Sequence, residues 1–98
     1  MNRAIYWTEP ARFDLRRLQA WVGRYAPGKE YGEAQRIKIA INKLIELPRL
    51  GKRISVPDGG TEELRELLIA PYVIQYTVEE KTIRIIRLWH YREDRLFC

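Results

Sequence analysis

The chain has 98 residues, 46% of them hydrophobic, and a formal net charge of +5. That length sets one domain with one modest core as the expectation, and that apolar content excludes a disordered chain. The single cysteine, Cys98, excludes a disulfide-stapled fold and fits a reducing cytoplasm, while no apolar run approaches the roughly 20 residues of a membrane helix.

Ile5-Tyr6-Trp7 reads as a short strand of β-formers. Thr8 then offers an N-cap, with Glu9 and Pro10 in the first turn, which predicts a helix start. Ala11, Leu15, Leu18, Val22 and Tyr25 follow a 4-3-4-3 spacing and line one face, and Phe13 and Trp21 widen that stripe. Ala26-Pro27-Gly28 should end the helix. A second helix is predicted over residues 29–47, with Ala34, Ile37, Ile41 and Leu44 as its stripe and Tyr31, Ala40 and Ile45 beside it. The Pro-Gly turn between them makes an αα-hairpin.

Residues 48–62 read as one long loop, punctuated by Pro48, Gly51 and Asp58-Gly59-Gly60. Three strands follow, over 64–69, 72–78 and 82–90, separated by Ala70-Pro71 and by the charged turn Glu79-Glu80-Lys81. Short connections predict antiparallel pairing. Ile85-Ile86-Arg87-Leu88-Trp89 breaks strict alternation, so either both sheet faces are partly buried there or a bulge intervenes. The tail, 92–98, is charged and expected to fray. The expected fold class is therefore α+β, ordered β-α-α-β-β-β, with a helical hairpin on one face of a small, mainly antiparallel sheet. The other face is left open.

The excess charge is uneven. Residues 1–50 carry ten Lys/Arg and five Asp/Glu, and residues 51–98 carry eight of each. A positive field favours nucleic acid or an acidic protein partner. With one histidine, a His-based metal cluster would need carboxylates to complete it, and no CxxC, HExxH, P-loop or GxSxG motif occurs. Trp7, Trp21 and Trp89 read as core contacts, and Glu79-Glu80 as solvated charge.

One constellation could carry chemistry: Arg84, Arg87, His90, Tyr91 and Arg92, with Arg65 and Glu66 on a neighbouring strand and Lys52-Arg53 in the loop. RNA cleavage through the 2′-hydroxyl needs a base, an acid and positive charge on the phosphate. His90 and Glu66 could form the acid–base pair, and Arg65 or Arg87 could hold the phosphate. Against this, messenger RNA demands dense positive charge, and the strand half is neutral. Arginines along a strand are also commonly a solvated face.

Five segments, in order, resemble the ParE/RelE toxins of type II toxin–antitoxin systems. They are Ile5-Tyr6-Trp7-Thr8-Glu9-Pro10-Ala11-Arg12-Phe13-Asp14-Leu15, Leu47-Pro48-Arg49-Leu50-Gly51-Lys52-Arg53, Leu64-Arg65-Glu66-Leu67, Tyr72-Val73-Ile74-Gln75-Tyr76, and Ile83-Arg84-Ile85-Ile86-Arg87-Leu88-Trp89-His90. The wording is closer to ParE, and the lysine cluster of the ribonuclease type is absent. The resemblance implies a cytoplasmic toxin without cofactor or metal, neutralised by a cognate antitoxin whose extended segment wraps it. Two activities follow from it, poisoning of DNA gyrase or cleavage of mRNA on the ribosome.

Three readings stand at this point. In the first, a gyrase poison works by binding, with Arg87, His90 and Arg92 as target contacts and no catalytic residue. In the second, an endoribonuclease uses His90, Glu66, Arg65, Arg87 and Tyr91. In the third, the chain has lost toxicity and only binds its antitoxin. In each, Phe13, Trp21 and Tyr31 are the expected antitoxin-binding residues.

Overall fold

The computed structural model describes residues 3–56 and 59–93. Strand β1 (Ala4–Trp7) leads into helix α1 (Glu9–Tyr25), then α2 (Glu30–Asn42) with a 3-10 turn over Lys43–Ile45. Strands β2 (Lys52–Ile54), β3 (Glu63–Ile69), β4 (Tyr72–Val78) and β5 (Thr82–His90) complete the chain. The two helices pack on one face of a five-stranded sheet ordered β1-β5-β4-β3-β2. Only the β1–β5 pair is parallel.

The predicted start of α1 holds. Thr8 is extended, and its hydroxyl accepts from the Ala11 N–H at 3.2 Å. The same hydroxyl donates to the Ile85 carbonyl at 2.7 Å, so one side chain caps the helix and ties it to the sheet. At the far end the Ala26 N–H donates to the Val22 carbonyl, and Gly28 takes a positive φ of 90° that suits glycine. The stripe residues Ala11, Leu18, Val22, Ala34, Ile37, Ile41 and Leu44 are all buried. They meet Leu67, Tyr72, Ile74, Tyr76, Ile83, Ile85 and Leu88 from the sheet. Tyr25, at the end of the predicted stripe, is instead 73% exposed.

Three expectations need correction. The second helix ends at Asn42 and tightens into the 3-10 turn, rather than running to 47. The expected loop 48–62 contains β2, which pairs antiparallel with β3. Its side chains are mostly exposed, so it carried no apolar alternation to betray it. The tail does not fray from 92, because residues 91–93 form a turn and Glu93 is buried. Asp58, Cys98 and the rest of the tail lie outside the described residues.

The irregularity in β5 is a bulge. Gln75 pairs with Arg87 while Tyr76 pairs with Ile85, leaving Ile86 as the extra residue. It lets Ile83, Ile85, Leu88 and His90 all face inward although they break a two-residue period.

Candidate functional site

Register decides which of the expected site residues can meet, because in-register neighbours share a sheet face. Glu66 pairs with Gln75, and Gln75 with Arg87. With Lys52, which pairs with Glu66, they form a polar row across the open face. His90 pairs with Tyr72, an odd number of residues from Gln75 along β4, and so faces the helices. Arg65 pairs with the buried Tyr76 and lies on the helix face too. The expected acid–base pair, His90 and Glu66, is therefore split across the sheet, and so are the two phosphate candidates Arg65 and Arg87.

Each of these residues has another engagement. The Arg65 guanidinium donates to Glu63 at 2.8 Å and to the Gly51 carbonyl at 2.7 Å, tying the loop before β2 to the sheet. Gln75 donates to Glu66 at 3.4 Å. His90 is only 8% exposed. It meets Trp21 edge-on at 4.5 Å and Tyr72 at 5.5 Å, and stacks on Tyr91 at 5.3 Å. Its Nδ1 accepts from the Arg92 N–H at 3.1 Å. Burial, then the Arg92 charge, pushes its pKa below the ordinary value, so the ring is neutral with its proton on Nε2. Little of the ring therefore reaches the surface. Tyr91 and Arg92 beside it are exposed, as is Arg87.

A linked cluster of carboxylates and guanidiniums lies at the outer edge of β5, just past the end of β1. There the strand would present unpaired backbone. Asp14 of α1, 1% exposed, accepts from the Leu88 N–H at 3.0 Å and from Arg87 at 2.7 and 3.1 Å. Arg17 bonds Asp14, reaches the Leu88 carbonyl at 3.3 Å, and pairs with Glu93 at 2.9 and 3.1 Å. Glu93 in turn accepts from the His90 N–H at 2.9 Å. Two carboxylates and two guanidiniums thus replace the missing strand. Burial raises the Asp14 and Glu93 pKa values, but the hydrogen bonds from Arg87, Leu88 and Arg17 to one, and from Arg17 and His90 to the other, more than reverse this. Both sit below the ordinary carboxylate range and stay ionised.

Arg87 is consequently held from one side only. Its Nε and one Nη face Asp14, and the side chain is 53% exposed. Phe13, Trp21 and Tyr31 do not form one patch. Trp21 turns to His90 on β5 and meets Tyr25 at 5.0 Å, whereas Phe13, eight residues earlier on α1, points about 80° away into solvent. Tyr31 is 70% exposed on α2. Among the described residues no group of His, Cys, Asp and Glu could hold a metal ion, and no helix is long and apolar enough to cross a membrane.

The family model described as "ParE toxin of type II toxin-antitoxin system, parDE" matches residues 5–95. This chain belongs to the ParE toxin family. It is the toxin of a type II toxin–antitoxin system. As a ParE-family member it is also similar to Toxin RelE2 of Caulobacter vibrioides, at 33% identity over 87 residues, covering 88% of this chain and 92% of that one. In shape it matches the chromosomal ParDE system of P. aeruginosa, with a TM-score of 0.74 and 24% identity over 90% of this chain and 95% of that one. It also matches the RelBE2 toxin–antitoxin complex of Mycobacterium tuberculosis, with a TM-score of 0.63 and 20% identity over 92% of each chain. The ParE-like fold thus serves as the scaffold on which Arg87, Tyr91 and Arg92 are displayed.

Proposed function

We propose that this toxin acts by binding, holding DNA gyrase in a poisoned state, and that a cognate antitoxin neutralises it. The observation that supports a binding mechanism is the sheet itself standing between His90 and Glu66. General acid–base cleavage needs both groups within hydrogen-bond reach of one ribose and phosphate. A binding poison needs none of this. It needs a fixed surface with exposed charge, and Arg87, held by Asp14 and half exposed, is such a contact. The antitoxin follows from the family, and the matched ParDE and RelBE2 structures are themselves toxin–antitoxin assemblies.

The name RelE2 on the 33% identical relative favours a second reading, a ribosome-dependent mRNA endonuclease. Substitution separates the two. Under the binding reading, Glu66→Gln arrests growth and traps gyrase on cleaved plasmid as the parent does, whereas Arg87→Glu weakens both. Loss of toxicity in folded Glu66→Gln, with mRNA left uncut, would favour the endonuclease.

A further inference from the structure

The open face of the sheet is not uniformly polar. Leu68 on β3, Val73 on β4 and Trp89 on β5 stand in register, one beside the next, on the face away from the helices. Leu68 is 64% exposed, and Val73 and Trp89 are half-buried. None of the three belongs to the core beneath the helices, although Trp89 reads from the sequence as a core contact. An antiparallel sheet with one wetted face ordinarily carries polar side chains there. Here an apolar row crosses the three central strands, next to the polar row of Glu66, Gln75 and Arg87. Both rows are arranged alike about β4. Val73 and Gln75 lie on it, Leu68 and Trp89 flank the first, and Glu66 and Arg87 flank the second.

We infer that this face pairs with the same face of a second copy of the chain, about a two-fold axis that runs along β4. That rotation keeps each row at its own level and exchanges β3 with β5. Leu68 of one copy then lies over Trp89 of the other, twice, and Val73 lies over Val73. Glu66 of one copy lies over the Arg87 position of the other, so opposite charges also meet twice. Arg87 is 53% exposed for this despite its bonds to Asp14. Lys52, two strands from the axis, falls at the solvent rim, where a single charge contributes little. A patch complementary to itself is what a two-fold dimer requires, and sheets packed face to face keep their strands nearly aligned. A nucleic acid fits the face less well, since its phosphates would meet Glu66 and leave the apolar row uncovered. At a strand spacing of about 4.8 Å and a rise of about 3.4 Å per residue, the strands offer roughly 500 Å2 of face per copy, the lower end of interface size. The pair is therefore weak and reversible. It covers Arg87, so only the dissociated toxin offers the target contact proposed above.

The test is sedimentation of the full toxin, free of antitoxin, and it reads the same whichever target the toxin strikes. From about 1 to about 200 μM the parent should pass from monomer to dimer, with a midpoint near about 10 μM. Val73→Arg and Val73→Glu each set like charges against one another on the axis, and each should weaken the dimer at least about 20-fold. An equimolar mixture of the two should dimerise again at about the parent's concentration, because opposite charges then meet at that point. Leu68→Glu, at the exposed end of the apolar row, should weaken the dimer without help from the mixture. Unchanged circular dichroism and melting temperature confirm an intact fold in each variant. A parent that stays monomeric over the whole range would overturn the inference, as would Val73 variants that associate like the parent. A mixture that stays monomeric while the parent dimerises would overturn the two-fold arrangement. A monomeric parent whose Val73→Glu variant no longer traps gyrase would overturn the dimer in favour of a target contact on this face.

Discussion

Asp14 joins α1 to the free edge of β5. It is fully buried, yet it serves an N–H of β5 and two arginines at once. Removing one partner of such a cluster leaves uncompensated charge in a dry site. Asp14→Ala should therefore lower unfolding free energy by about 3 kcal/mol, read by urea denaturation, since it strands the Leu88 N–H and removes the carboxylate that holds Arg87 and shares Arg17 with Glu93. The sequence did contain a signal for it. Asp14 falls three residues after Ala11 and four before Leu18, inside the apolar stripe, where an ionised side chain has to be satisfied from elsewhere. Glu93 had no such signal, because its neighbours in sequence are polar and its partner Arg17 is 76 residues away. His90 was legible as the one titratable group near neutrality, but its burial was not.

At the scale of elements, periodicity exposed α1, α2, β3, β4 and β5, because each sets apolar side chains against the same core. It missed β2, a three-residue edge strand held by pairing and by its approach loop. That loop depends on Gly51. Its N–H donates to the Tyr76 hydroxyl at 2.9 Å, and the hydroxyl donates to the Pro48 carbonyl at 2.8 Å. A methyl group on Gly51 would sit 2.7 Å from the Glu66 carbonyl oxygen and 2.8 Å from the Tyr76 hydroxyl, and the backbone cannot yield that distance. Gly51→Ala should cost about 2 kcal/mol, measured by thermal unfolding, with its largest loss of amide protection in β2 and β3. Strand parity was the second illegible feature. Whether Glu66 and His90 share a face depends on inter-strand register and on the Ile86 bulge, and neither is written in the local pattern.

For the whole molecule, the ionisable groups that secure the β5 edge set a single direction of pH response. Asp14 and Glu93 have lowered carboxyl pKa values in the folded state, so their contribution is complete above the unfolded values of about 4 and is lost as pH falls through the folded ones. His90 is also lowered in the folded state, so the unfolded chain takes up its proton first as pH falls below 6.5. All three terms destabilise in acid. Melting temperature should begin to decline below about pH 6.5 and fall more steeply below about pH 4. Replacing His90 with Gln should remove the first part of the decline and leave the second.

Arg87, Tyr91 and Arg92 are exposed at and just beyond the end of β5. On the proposed reading the toxin strikes by binding through this surface, without catalytic chemistry. The most direct test places the purified toxin in two reactions side by side, one with gyrase, ATP and supercoiled plasmid, the other with programmed ribosomes carrying mRNA. The account predicts linear, gyrase-linked DNA in the first and intact mRNA in the second. Cut mRNA with gyrase unaffected would contradict it.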